Sequence, residues 1–225
     1  LICFGARFDD RVTGRLDVFA KNATVIHVDI DPASIDKLVH ADYPIVGDLK
    51  SVLKDFLEES DGFEFNDYSH WLARLKDYQK KEPLRFNEKE GILKPQWAIK
   101  RTGEILGDSA IISTDVGQHQ MWAAQSLELC DTQRFITSGG MGSIGFGLPA
   151  SIGAAFAKDL SPIVLIAGDG GFQSNIQELQ TLIHNKLPIK IIVMNNNCHG
   201  MVRQFQEDYF DRRYQSTLWG YSAPN

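Results

Sequence analysis

The sequence predicts an α/β protein with two parallel-sheet domains, and three observations predict it. Short apolar runs of strand length alternate with helical stretches from Leu1 to Glu58. The alternation resumes after Pro95, where "AIIST", "IVLIAG" and "IKIIVM" read as strands. Between them, residues 61–93 lose the pattern and become polar and aromatic. Alternating strands and helices imply a parallel sheet, whose ligands gather beyond the carboxyl ends of its strands. At 225 residues and 43% hydrophobic content, the chain is long enough to bury real cores.

The elements follow in order. "LICFG", "ATVIHVDI" and "IVGD" are strand-like, and "SIDKLVHA" reads as a helix between the last two. A helix from Leu49 to Glu58 places Leu49, Val52, Leu53, Phe56 and Leu57 on one apolar stripe. A short helix around Trp71 to Tyr78 is expected within the polar connection. Pro95 opens the next helix, with Gly107 past its end. The strand "AIIST", a helix near "HQMWAAQSL", the strand "RFIT" and a glycine-rich turn come next. They are followed by a helix from Pro149 to Ala157, the strand "IVLIAG", a helix "IQELQTLIHN" and the strand "IKIIVM". Ser174 or Asn175, with Gln177 or Glu178 three residues on, has the pattern of a capping box for the "IQELQ" helix, whose amino end would add positive potential at the strand ends.

Composition narrows the function classes. A net charge of -6 with no Lys/Arg cluster argues against nucleic acid as a partner. No apolar run reaches the roughly 18 residues of a spanning helix, so no membrane partner is expected. Cys3, Cys130 and Cys198 lie far apart, which argues against a zinc site or disulfide framework and suggests a reducing, cytoplasmic setting. Leu1 opens inside a strand-like stretch without an initiator Met, and "GYSAPN" closes the chain without a terminating helix, so both ends read as cut.

Four loops leave predicted strand ends in the second half: "DVGQHQ", "SGGMGSIG", "GDGG" and "NNNCHG". The rim they form offers glycines, amides and a single carboxylate, Asp169. Glycines let backbone N–H groups approach an anion, and a carboxylate with an amide oxygen suits Mg²⁺. One crossover helix joins the strands before Asp169 and Asn196, so both side chains are expected at neighbouring strand ends, within reach of one ion. The set reads as a metal-diphosphate cradle. A competing reading takes Gly140, Gly142 and Gly145 as a GxGxxG dinucleotide fingerprint with Asp169 on a ribose. It leaves the glycines after Asp169 and the Asn triplet unexplained.

Gly168-Asp169-Gly170, then twenty-four residues, then Asn195-Asn196, resembles the signature of thiamine-diphosphate (ThDP) enzymes. The segments "GARFDDRVTG", "DVGQHQMWAAQ", "GGMGSIGFGLPASIGAA" and "GMVRQFQ" are similar to the catalytic subunit of the acetolactate (acetohydroxyacid) synthases. The resemblance implies two Rossmann-like domains: residues 1–62 as the carboxyl-terminal part of an FAD-associated central domain, 63–94 as a connection, and 95–225 as the ThDP diphosphate-binding domain. It implies Mg²⁺ ligands in Asp169, Asn196 and the main-chain carbonyl of Cys198. The implied cofactor wall comprises Val116, Gly117, Gln118, His119, Gly142, Ile144, Gly168, Gly170, Gly171, His199, Gly200 and Met201. Within it, Gln118 and His119 match diphosphate contacts, and Ile144 takes the place of the bulky residue that bends the cofactor into a V; core packing is the other reading of Ile144. FAD, in a structural role, is implied along Gly5, Ala6, Arg7, Asp9 and Arg11, with Asp29 and Asp48 near its adenosine. A solvated ion-pair loop is the other reading of Arg7, Asp9 and Arg11.

The implied reaction decarboxylates pyruvate and ligates the two-carbon unit to a second 2-oxo acid. The activating glutamate is expected on an amino-terminal domain absent from this sequence and supplied by an identical subunit of a dimer or tetramer, with a small regulatory subunit as a further partner. The 225 residues alone are therefore expected to be inactive and to hold no catalytic residue. Another ThDP decarboxylase or carboligase, a flavin or nicotinamide oxidoreductase, and a non-catalytic binding remnant are the alternatives. "NNNCHG" in place of NNxxQG, Phe205 in place of Trp, and Ser143-Ile144 in place of Thr-Met depart from the family pattern and bear on the second substrate.

Overall fold

The computed structural model describes residues 1–86, 90–157 and 161–218. The "GYSAPN" terminus lies outside the described residues. The chain forms two units, Leu1–Lys76 and Asp77–Asn225. No helix among the described residues is long and apolar enough to cross a membrane.

The first unit holds three parallel strands in sequence order: β1 (Ile2–Phe4), β2 (Ile26–Asp29) and β3 (Tyr43–Val46). A single turn of helix, α1 (Asp10–Thr13), follows β1, and α2 (Leu49–Glu59) follows β3. Cys3, Phe8 and Val25 form the buried cluster of this unit. The periodic stripe does form a helix, α2, yet only Val52 of its members is buried. The helix expected over "SIDKLVHA" is not there; a 3₁₀ turn, Pro32–Ser34, ends on its first residue, and turns and bends follow. Asp36 adopts φ +56, which stops a right-handed helix, and its carboxylate accepts hydrogen bonds from the Ala41 amide at 2.7 Å and meets His40 Nδ1 at 3.1 Å. The short polar side chain makes a local turn that outcompetes the helix.

A helix, α3 (Ser69–Lys81), includes the expected Trp71–Tyr78 stretch. The second unit is a four-stranded parallel sheet in the order β5 (Arg134–Ile136), β4 (Ile111–Thr114), β6 (Ile163–Gly168), β7 (Ile189–Met194). Both faces are covered, as a parallel sheet requires. Ile163, Leu165 and Ala167 of β6 face one core with Leu148 and Ile152 of α6 (Gly147–Ala157). Val164 and Ile166 face the other core with Ile99 of α4 (Pro95–Ile105) and Ala123 of α5 (Gln118–Ser126). The period-2 alternation of strand side chains thus splits one apolar run between two cores.

Helix α6 starts two residues before the expected Pro149, which then sits in its first turn, where a missing N–H costs no helical bond. The capping box is a further correction. A six-residue helix, α7 (Asp169–Ser174), leaves β6 directly, and α8 (Leu179–His184) follows only after a 3₁₀ turn. Asn175 Nδ2 donates to the Gly145 carbonyl at 2.7 Å and Ser174 Oγ to the Gly170 carbonyl at 3.2 Å, so neither side chain caps the later helix. The helix whose amino end meets the rim is α7. A last helix, α9 (Gly200–Tyr209), follows the Asn triplet and was not foreseen from periodicity.

Candidate functional site

β6 and β7 are neighbours, with Gly168 paired to Met194 at their carboxyl ends. Asp169 follows the first and Asn196 the second, so the two side chains leave adjacent strands about 4.8 Å apart. They line one cavity of about 240 Å³. Its wall contains every residue expected there: Val116 to His119 from the end of β4 and start of α5, Gly142 and Ile144 from the glycine-rich turn, Gly168 to Gly171, and Asn196 with Cys198 to Met201. Trp122, Met194 and Val202 complete it and were missed by sequence reasoning; each lies one turn or one strand position from a loop that was read.

The donor set can be tested atom by atom. Asp169 is 4% exposed and heads α7. Asn196 Oδ1 accepts the Cys198 amide at 3.1 Å, which fixes the side-chain amide and leaves the oxygen a second lone pair. With the Cys198 carbonyl this makes three hard oxygen donors of different type, the kind that suits Mg²⁺. No group of three His, Cys, Asp or Glu side chains able to hold a metal occurs among the described residues.

His119 is 5% exposed, and its Nε2 is buried without a hydrogen-bond partner among the described residues. A buried polar atom in that state is one that a bound polar group would satisfy. Burial pushes the His119 pKa down; the Asp115 charge and backbone, and the Asp169 charge, oppose that shift without cancelling it. Gln118 Nε2 donates to Gln204 Oε1 at 3.1 Å, tying α5 to α9 at the lip of the cavity. Ile144 is 52% exposed, so the reading of it as core packing is overturned. The His199 amide donates to the Thr217 carbonyl at 2.9 Å at the start of α9.

The rim also holds two carboxylates rather than one. Asp115, just past β4, accepts the amides of Gly145 and Gly147. Gly145 has φ +87, and a Cβ there would meet Asn175 Nδ2 at 2.7 Å, so this turn admits only glycine. These contacts weaken the dinucleotide reading, because amides at the start of α6 already serve Asp115. That reading also needs its acid on the strand beside β5, and β4 stands between β5 and β6.

In the first unit the expected acids gather at the carboxyl ends of β1 to β3. Gly5 follows β1 with its amide on the Val28 carbonyl at 2.8 Å, and Ala6 packs on the Cys3 cluster. Asp9 caps α1 through the Arg11 amide at 3.1 Å and pairs with Arg7 at 3.5 Å, while the Arg11 guanidinium pairs with Asp10 at 3.8 Å. Asp29 Oδ1 accepts the Asp31 amide, and Asp48 caps α2 through the amides of Lys50 and Ser51. His27, missed by sequence reasoning, lies fully buried beside them. Its ring packs edge-on against Phe8, and 4.0 Å separates Nε2 from Asp29 Oδ2, too long for a hydrogen bond.

The family described as "Thiamine pyrophosphate enzyme, C-terminal TPP binding domain" matches residues 115–223, and "Thiamine pyrophosphate enzyme, central domain" matches residues 1–56. The chain is 46% identical to an acetolactate synthase large subunit of Cyanidium caldarium over 229 aligned positions, covering 100% of this chain and 39% of that protein. It is 44% identical to an acetolactate synthase of Mycobacterium avium over 98% of this chain and 36% of that one. To the protein named acetolactate synthase 1, chloroplastic, of Nicotiana tabacum it is 43% identical over 98% of this chain and 33% of that one. The chain thus spans about two fifths or less of the length of the curated relatives it matches. With matches to both the central and the cofactor-binding domain, and 43 to 46% identity along its length, the chain belongs to the thiamine pyrophosphate enzymes, in the family of the acetolactate synthase large subunits.

Proposed function

We propose that this chain carries the thiamine diphosphate and Mg²⁺ site of an acetolactate synthase, which decarboxylates pyruvate and ligates the two-carbon unit to a second 2-oxo acid. The observation that carries the reading is the convergence of Asp169, Asn196 and the Cys198 loop on one cavity, beside the buried, unpartnered Nε2 of His119. Asp169 Oδ, Asn196 Oδ1 and the Cys198 carbonyl would hold the metal. Gln118, His119, His199 and the amides of Gly170 and Gly200 would hold the diphosphate, and Ile144 would support the bend between the rings. Thiamine diphosphate would supply the electron sink that decarboxylation needs. The protein's part is to orient that group, exclude water through Trp122, Met194 and Val202, and fix its charge.

The same reading assigns FAD a structural place along Gly5, Ala6, Arg7, Asp9, Arg11, Asp29 and Asp48, at the strand ends of the first unit. It divides the chain at 1–62, 63–94 and 95–225 into central domain, connection and diphosphate-binding domain. Its partners are 2-oxo acids, an identical subunit that brings the activating glutamate in a dimer or tetramer, and a small regulatory subunit; nucleic acid is not among them. The unpaired thiols of Cys3, Cys130 and Cys198 favour a reducing, cytoplasmic setting.

Titration calorimetry of the full-length polypeptide with thiamine diphosphate tests the metal site. Binding is expected with Mg²⁺ present, and it should weaken by at least about tenfold in EDTA or in Asp169→Asn, where a charged hard ligand is lost. Equal affinity under all three conditions would remove the site. Product analysis on pyruvate, with and without 2-oxobutyrate, then identifies the second substrate.

A further inference from the structure

Asp115 is 1% exposed and is not part of the cavity wall, yet its side chain touches three of the four loops that build that wall. Oδ1 accepts the amide of Val116 at 2.8 Å and that of Gly145 at 3.0 Å, and Oδ2 accepts the amide of Gly147 at 2.8 Å. Gly147 is the first residue of α6, so a carboxylate from the loop after β4 caps an eleven-residue helix whose preceding residues, Ile144 to Phe146, offer no capping side chain. The positive end of that helix and three charge-assisted hydrogen bonds compensate the buried charge.

The third loop meets the carboxylate from the other side. A Cβ at Gly171 would lie 2.2 Å from Asp115 Oδ1 and 2.7 Å from its Cγ, so the backbone after Asp169 packs directly on this group. Each contact is next to a residue that the cavity uses: Val116 precedes Gln118 and His119, Gly145 follows Ile144, and Gly171 closes the turn that begins at Asp169.

We propose that Asp115 is the positioning residue of the cavity, a buried carboxylate that holds the Ile144 turn and the Asp169 turn in register before any cofactor arrives. The inference rests on the thiamine diphosphate reading for what the register serves. The clamp itself rests only on the three amides and the glycine contact. Asparagine at 115 would turn its NH₂ group either toward the Gly147 amide or toward the Val116 and Gly145 amides, so at least one of the three bonds is replaced by a donor facing a donor while the remaining oxygen keeps the rest.

Two measurements on the full-length polypeptide test the proposal. In Asp115→Asn, the Kd for thiamine diphosphate in Mg²⁺ should rise about tenfold and kcat should fall, with KM for pyruvate nearly unchanged. A Kd and kcat within twofold of the unsubstituted protein would overturn it. So would a rise in Kd matched by the unfolded fraction alone. Hydrogen exchange of the unsubstituted protein covers the case in which the variant fails to fold. The amides of Gly145 and Gly147 should be protected already without cofactor, and free exchange there until thiamine diphosphate is added would assign the ordering to the cofactor and sink the clamp. If the unsubstituted protein binds no thiamine diphosphate, the functional reading falls, and the exchange result still decides for or against the clamp.

Discussion

At the residue scale, His119 sets folding against binding. Its imidazole is buried with Nε2 unsatisfied, which costs about 1–3 kcal/mol in the cofactor-free protein. Phenylalanine at 119 removes that orphan while keeping a ring of similar reach. His119→Phe should therefore raise or preserve the urea midpoint of the cofactor-free protein while weakening thiamine diphosphate binding. The pH dependence has a definite sign. Burial holds the folded pKa below the ordinary value of about 6.5, so between the two values the unfolded chain binds more protons and stability rises with pH. The contribution is complete above about 6.5 and is lost as pH falls through the folded value. His119→Phe should flatten this slope, and a midpoint that falls at all pH values without any change in slope would show that the ring is satisfied after all. Most of the cavity wall was legible because it sits in motifs of a few residues after apolar strands. Asp115 was not, although it opens the "DVGQHQ" loop. Its partners Gly145 and Gly147 lie 30 and 32 residues away, and an aspartate after a strand has the local pattern of an ordinary turn.

At the element scale, β6 decides the fold of the second unit. It is flanked by β4 and β7, and Leu165 is fully buried among Ile111, Leu148, Ile163 and Ile189. Truncation of Leu165 to Ala should cost about 2–5 kcal/mol, since strands on both sides keep the cavity from collapsing. Chemical denaturation measures it, and a loss under 1 kcal/mol would mean the strand is not held as described. β6 was legible because its buried parallel strand is an uninterrupted apolar run bounded by breakers. The errors occurred where polar side chains bond to backbone outside any periodic pattern, five residues away in one case and thirty in the other. Asp36 turns the chain that was expected as a helix, and Asn175 reaches back to Gly145 instead of capping forward. Helix α9 is amphipathic but follows polar asparagines without a cap signal, since His199 at its start makes no side-chain capping bond.

At the scale of the whole molecule, the proposed function gives the cavity a metal site and diphosphate contacts and little else. Among the described residues its lining includes one carboxylate, Asp169, which the proposal commits to the metal, and no glutamate. The two histidines, His119 and His199, lie with the diphosphate contacts in this reading, and Asp115 is turned away into its amide clamp. On the proposed function, a group that activates the cofactor would therefore come from elsewhere. The relatives, more than twice as long as this chain, have room for it. The 225-residue polypeptide should hence bind thiamine diphosphate in a Mg²⁺-dependent manner and form no acetolactate from pyruvate. Adding, as a separate chain, the part of a curated relative that lies outside the match should restore turnover without changing the metal dependence of binding. Acetolactate formation by the 225 residues alone would mean that a residue of this cavity performs the activation and that the missing group is not needed. Binding without any turnover after complementation would instead mark the chain as a cofactor-holding module, because the metal site would be intact and the chemistry absent.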